Sequence, residues 1–257
     1  MDINSTLLAA VIFSFLIAFI FSMFGQGGGS VYSPLLILLG YSIFLSTSTS
    51  LVLNLITSLS AGYIFYRKKM IDFKTSFIFA PGISIGAFAG GALSKSFDTT
   101  ILLWVFVVFL LGVGARMIYS YWEKEKIEEN IPTHLSKAMY GLIAVFGLAV
   151  GFLAGLLGVG GGIFFVPFMV YVCKFPTKIA AGSAHLIISF SALAGIIGHA
   201  TSHHFDLPLI FVTGIAVLLG GNLGARFSMR INTKMIKAGL GLIMLAFAAQ
   251  LLVKLIG

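Results

Sequence analysis

The sequence predicts an all-α polytopic membrane protein made of two inverted repeats of about five helical segments each, with helices broken by glycine. Three observations lead there. Of the 257 residues, 59% are hydrophobic and only 9% charged, where a soluble domain carries about 25% charged residues; mean hydropathy is +1.07. Apolar runs of about 20 residues, long enough to cross the hydrocarbon core as helices, recur along the whole chain. A single constant displacement, the one that carries Gly25 onto Gly158, lays the second half of the sequence on the first. The alternation of apolar and polar residues expected of membrane-barrel strands is missing.

Taken in order, apolar segments fall near 5–25, 31–45, 46–66, 75–94 and 99–121, and again near 138–158, 164–174, 179–202, 207–228 and 233–256. The run Leu7 to Phe24 has no basic stretch before it and no small-residue cleavage site after it, so it reads as a retained helix. The second segment of each half is the shortest. Between the halves lies a mixed-charge connector, EKEKIEENIPTHLSK, from Glu123 to Lys137. The expected organisation is a first repeat over 1–122, a polar cytoplasmic linker over 123–136 and a second repeat over 137–257. Cys173 is the single cysteine, which excludes an internal disulfide and a multi-cysteine metal site.

The same displacement pairs Gly27-Gly28-Gly29 with Gly160-Gly161-Gly162, Pro34 with Pro167, Ser50 with Ser183 and Ser58 with Ser191. After one inserted residue, Asp72 meets Asp206, Gly86 meets Gly220 and Gly90 meets Gly224. One gap over so long a stretch marks a tandem duplication. Charge then assigns direction. Arg67–Lys74, Arg116–Lys137, Lys174–Lys178 and Arg226–Lys237 hold 14 of the 16 Lys and Arg residues. Alternate crossings put these four clusters on one side, with Lys95, the His203-His204 loop and both termini on the other. Basic loops face the cytoplasm, so both termini are expected outside, in a multi-pass protein of a prokaryotic cell membrane. The basic loop RKKMIDFK aligns with the nearly neutral SHHFDL, so equivalent loops lie on opposite sides, as in the inverted repeats of secondary transporters. A net charge of +8 gathered at helix ends offers no nucleic-acid surface.

Two stretches interrupt the apolar runs: GQGGGSVYSP, Gly25 to Pro34, and GVGGGIFFVP, Gly158 to Pro167. Successive glycines open backbone conformations closed to other residues and let another group approach, while proline suits the first turn of a helix. The expected local structure is a helix, an unwound glycine stretch, then a short helix opened near the proline. Irregular backbone at membrane depth is tolerated where it is buried or lines a wet cavity, and N–H groups at a helix start favour an anion. Two readings stay open at this point: a central small-anion site, or close packing and tight turns near the membrane surface.

The doubled G-x-GGG-x(4)-P motif, the small and Ser-rich openings STSTSL (46–51) and AAGSAHL (180–186), and the small-residue helices GAFAGGALS and GGNLGARFS together resemble the sulfite exporter TauE/SafE family over nearly the whole chain. The resemblance implies membrane export of small sulfur oxyanions or organosulfonates such as sulfite or sulfoacetate. Two residues depart from the family pattern. Gln26 stands where family members commonly carry an apolar residue, as Val159 does, and His185 stands where a small or apolar residue is typical.

The remaining polar residues complete the expected site. Every Asp and Glu lies in a loop or at a helix end, so an embedded carboxylate relay is unavailable. His185 is the ionisable side chain well inside an apolar segment; anion binding, proton coupling and a structural hydrogen bond are all open to it. Ser50, Asn54 and Ser183 lie near the glycine motifs, where hydroxyls and amides can donate to sulfonate oxygens; Ser46, Thr47, Ser48, Thr49 and Ser189 read as packing glue. Candidate substrate-binding residues are therefore Gln26, Gly27, Gly28, Gly29, Ser30, Ser50, Asn54, Gly160, Gly161, Gly162, Ser183 and His185. His199, His203 and His204 have metal-like spacing, but no acidic or cysteine ligand beyond Asp206 is near them in the sequence, so no metal site is expected. Arg116 and Arg226 snorkel at helix ends, GGALS and GGNLGAR pack helices, and Asp72 and Asp206 cap the helices that follow them. No catalytic constellation and no cofactor motif is present. The expectation is an alternating-access secondary transporter whose halves rock about a central anion site, with the bilayer as its other partner. A channel and a non-transporting scaffold are the alternatives, and homo-oligomerisation stays open.

Overall fold

The computed structural model describes residues 3–94, 100–119, 122, 136–158, 160–200 and 205–256. Lys95, Val159, His203, His204 and all but the end of the 123–136 linker lie outside the described residues. Most of the described chain is helical: α1 (Ile3–Met23), α2 (Gly29–Leu38), α3 (Ile43–Arg67), α4 (Phe73–Leu93), α5 (Thr100–Tyr119), α6 (Lys137–Leu157), α7 (Gly162–Pro167, continued by a π turn over Phe168–Val172), α8 (Thr177–Ala200), α9 (Leu207–Ser228) and α10 (Thr233–Ile256). Seven of these described helices are long and apolar enough to cross a membrane, while α2 and α7 with its π turn are short apolar pieces. The protein is an all-α polytopic membrane protein.

Helix ends follow local chemistry. Asp72 accepts from the Thr75 N–H at 2.9 Å and Asp206 from the Leu209 N–H at 3.0 Å, the two N-caps expected from the sequence. The apolar run 31–45 is not one helix. Gly40 takes φ 93° and breaks it, and Ser42 then caps α3 by accepting from the Leu45 N–H, so the Ser/Thr-rich stretch lies inside α3. The prolines also sit differently from expectation. Both short helices begin at the last glycine of their motif, with Pro34 and Pro167 inside them. A left-handed Gly28 or Gly161 already turns the chain into the helix, so proline is not needed to open it. Each proline instead withholds a donor from the carbonyl four residues earlier, and beyond Pro167 the helix widens into its π turn.

Packing places helices of one half against helices of the other. α4 lies on α6 and α8, while α9, its counterpart, lies on α1 and α3; α3 packs on α8, and α5 on α10. In the α4–α6 contact, Gly82, Gly86 and Gly90 approach the α6 backbone at Ala144, Leu148 and Phe152, and Gly151 and Gly155 approach Ile83 and Ala87 in return. The α1–α9 contact repeats this with Gly220 against Phe15 and Gly224 against Phe19. Small residues let backbones close on one another where lipid supplies no hydrophobic drive, which is the role expected of GAFAGGALS and GGNLGARFS. Both contacts are parallel. The α3–α8 contact is antiparallel: Leu51 faces Gly195, Gly62 faces His185 and Phe65 faces Gly182. The apolar core fills in around α7 and its π turn, where Phe165 and Phe168 meet Phe79 and Phe146.

Candidate functional site

The glycine motifs fold alike. Gly25, Gly27 and Gly28 take φ 78°, 72° and 96°, and their counterparts Gly158, Gly160 and Gly161 take 69°, 71° and 72°. Residues with a Cβ rarely adopt this left-handed conformation, so the repeated glycines are dictated by the repeated backbone.

The two loops enter the protein from opposite ends and meet. Gly25 lies against Ala181, near the start of α8, and Gly27 lies deeper, against Asn54 and Ser58 of α3. Gly158 lies against Thr47, near the start of α3, and Gly160 and Gly162 lie deeper, against Asn54 and Ile188. The backbone carbonyl of Gln26 occupies the space a side chain at Gly162 would need. Asn54 stands close to the middle of α3, a 25-residue helix, which spans about 37 Å, and Ile188 is equally central in α8. The meeting point is halfway along both helices.

Asn54 is the hub. Its Oδ1 accepts from the Gly29 N–H at 3.2 Å, satisfying a donor at the start of α2, while its Nδ2 fills the space beside Gly160. Ser50, one turn earlier, donates to the Gly29 carbonyl at 3.0 Å and the Gly158 carbonyl at 3.1 Å. One turn after Asn54, the Ser58 hydroxyl approaches Gly27. Thr57 and Tyr32 share a 2.9 Å hydrogen bond that ties α3 to α2.

All the residues expected at the site are buried. The structure brings together Gln26, Gly27, Gly29, Ser50, Asn54, Gly160 and Gly162, with Gly28, Ser30 and Gly161 flanking them in sequence. Ser183 and His185 have other immediate partners. The Ser183 hydroxyl accepts from the Asp72 N–H at 2.8 Å, next to the start of α4. His185 donates from Nε2 to the Ser22 carbonyl at 3.1 Å and packs its ring on Phe65 at 5.5 Å, which fastens the end of α1 to α8. His199 donates from Nε2 to the Gly155 carbonyl at 2.9 Å and joins α8 to α6.

Several buried polar atoms of this region have no partner: both amide atoms of Gln26, Nδ2 of Asn54, and the hydroxyls of Ser58 and Ser191. An unpaired buried polar group costs about 1–3 kcal/mol, so native proteins leave few of them. Sequence reasoning does not place Ser58 at the site, although its pairing with Ser191 across the repeats is the available signal. The buried polar side chains among the described residues include no Lys, Arg, Asp or Glu. The arrangement can hold a small anion on neutral donors; no group of three or more His, Cys, Asp or Glu suited to a metal occurs among the described residues. Outside the helices, burial and then the Asp206 carboxylate push the Tyr41 phenol above its usual range.

The chain is similar to proteins named as probable membrane transporters. The chain is 27% identical to the probable membrane transporter protein YunE of Bacillus subtilis over 252 residues, covering 90% of this chain and 92% of that one. It is 26% identical to the probable membrane transporter protein YfcA of Escherichia coli K12, covering 96% and 91%. A probable membrane transporter of Methanocaldococcus jannaschii is 24% identical over 87% of each chain. No solved structure matches. The family model for the sulfite exporter TauE/SafE matches residues 10–251, and the chain belongs to that family of multi-pass membrane transporters.

Proposed function

We propose that the protein is a secondary transporter that exports small sulfur-containing anions, sulfite or an organosulfonate such as sulfoacetate, by alternating access about the meeting point of the two glycine loops. The observation that carries this reading is Asn54: one amide caps the α2 glycine loop, lies on the other loop, and keeps a buried donor unpaired halfway along α3. Gln26 and Ser58 add unpaired polar atoms, and the helix starts at Gly29 and Gly162 bring two positive dipole ends to the same place. Neutral donors bind an oxyanion without a buried cation, whose desolvation is costly.

Inverted repeats are supported by the antiparallel contact between α3 and its counterpart α8 and by the exchange of α4–α6 for α9–α1. In this reading the basic loops are cytoplasmic and both termini lie outside. The buried site favours a carrier over a continuously open channel. The test is thermal stabilisation of the purified protein by sulfite, sulfate, thiosulfate, taurine, sulfoacetate and carboxylate analogues, followed by counterflow in liposomes. Stabilisation by a sulfur oxyanion with saturable counterflow is expected. Binding of a cation with no response to any sulfur anion refutes the reading, and flux without saturation or counterflow makes the protein a channel.

A further inference from the structure

Side-chain ties cross the protein at the end where α8 begins and the basic clusters lie. His185 donates to the Ser22 carbonyl at 3.1 Å, near the end of α1. Lys178, two turns earlier on α8, donates from Nζ to the Met229 carbonyl at 3.1 Å, just past the end of α9. Both bonds reach from the group of α4, α6 and α8 to the group of α1, α3 and α9. The Ser228 hydroxyl donates to the Met23 carbonyl at 2.8 Å, so the two helix ends that receive the ties are themselves joined. Ala61, Ile64, Phe65, Ala181 and Ala225 pack together at the same end, with Met229 against them. The repeat alignment gives the opposite end no such pair: it sets Leu45 against Lys178 and Val52 against His185, and neither side chain has a proton to donate. A tie between the groups toward that end is Ser50 on the Gly158 carbonyl, and Ser50 does have a hydroxyl counterpart, Ser183. His199 joins α8 to α6 within one group.

We infer that Lys178 and His185 are positioning residues of the transport cycle, forming a latch that makes the protein rest closed at its basic end. This rests on the alternating-access reading and adds to it two states of unequal free energy. Inverted repeats reach the opposite-facing state by exchanging the contacts of one half for those of the other. On exchange the Ser50 tie passes to Ser183, whereas the Lys178 and His185 ties pass to Leu45 and Val52 and are lost. Each lost bond shifts the balance of states by about fivefold. Two such bonds acting independently hold it about twenty-fivefold toward the closed state. Substrate arriving from the basic side meets that ratio as a matching loss of apparent affinity, because the state open to it is the minor one.

Distances between two gadolinium spin labels test this in the full-length protein in nanodiscs. The labels are joined by thioethers to Lys74→Cys, at the start of α4, and Arg230→Cys, past the end of α9, on a Cys173→Ala background; both positions are exposed. The labelled protein with Lys178 and His185 intact is expected to show mainly the separation seen in the structure. Lys178→Leu and His185→Val, which install the residues of the opposite end, should each raise the ratio of longer to shorter separations about fivefold. Lys178→Arg keeps a donor and should leave the distribution unchanged. Lys178 is half-buried, so its variants decide the matter if His185→Val folds poorly. Unchanged distributions in Lys178→Leu and His185→Val, while sulfite lengthens the separation in the unsubstituted latch, overturn the inference and leave the carrier reading standing. A Lys178→Arg protein that opens as far as Lys178→Leu, or an intact latch already at the longer separation, also overturns it. One short separation in every variant, with and without sulfite, overturns both.

Discussion

Ser50 donates to the Gly158 carbonyl at 3.1 Å while also reaching the Gly29 carbonyl at 3.0 Å, so a single proton on α3 serves two glycine loops that belong to different halves of the chain. Ser50→Ala leaves two buried carbonyls without that donor, at a cost of about 1–3 kcal/mol. Thermal unfolding in detergent should show a clear loss of stability, larger than for Ser48→Ala, whose hydroxyl bonds within its own helix to Leu45. Equal losses would remove Ser50 from its role as the tie between loops.

Asn54 separates binding from folding. Asn54→Asp keeps an acceptor for the Gly29 N–H but replaces the unpaired donor with negative charge. Anion affinity should fall by more than about tenfold while the protein remains folded. Ser58→Ala removes one hydroxyl and should cost about fivefold. Anion titrations followed by thermal shift check both; an Asn54→Asp protein that binds normally would move the anion elsewhere.

Gln26 and Val159 are the repeat-related pair at the second position of the motif, and they differ in polarity. If the loops hold substrate, Gln26→Val should change anion affinity more than Val159→Gln. Small and equal effects would leave both motifs to packing alone.

Ser50 and Ser183 are equivalent in sequence but bonded differently, Ser183 accepting from the Asp72 N–H. In a two-state carrier of inverted repeats, the opposite-facing state has these roles exchanged: Ser183 holds the glycine loops and Ser50 accepts near Asp206. Ser183→Ala should therefore loosen the closure between α8 and the start of α4. On a Cys173→Ala background, the thiol introduced by Ser58→Cys should then label faster with a membrane-impermeant reagent in inside-out vesicles. Unchanged labelling would remove the Asp72 contact from the gate.

How much of this is legible in the sequence depends on which interactions are local. The glycine motifs, the aspartate caps and the small-residue helices are fixed within a few residues, and the sequence carries them openly. Local signals put the start of α2 near Pro34, whereas the group that settles the matter, the Asn54 side chain, arrives from the next helix. Ser183 and Ser50 share a letter and a repeat position, and nothing local distinguishes a partner on Asp72 from one on a glycine carbonyl. His185 reads as a titratable oddity until its Ser22 bond and Phe65 contact are seen. Ser58 is visible as one of a duplicated pair, but the direction of its hydroxyl belongs to tertiary packing.

Through the glycine-lined contacts of α4 with α6 and of α9 with α1, each half of the chain lends its fourth segment to the other half. The repeated unit of the sequence and the unit of packing are therefore different objects. If the halves rock as proposed, the bodies that move are mosaics, one containing α1 with α9 and the other α4 with α6. An ancestral half-length chain would have had to exchange these helices with a second copy to cover its glycine faces. Residues 1–122 and 137–257 made as separate polypeptides should accordingly find each other in the membrane, and neither should survive there alone.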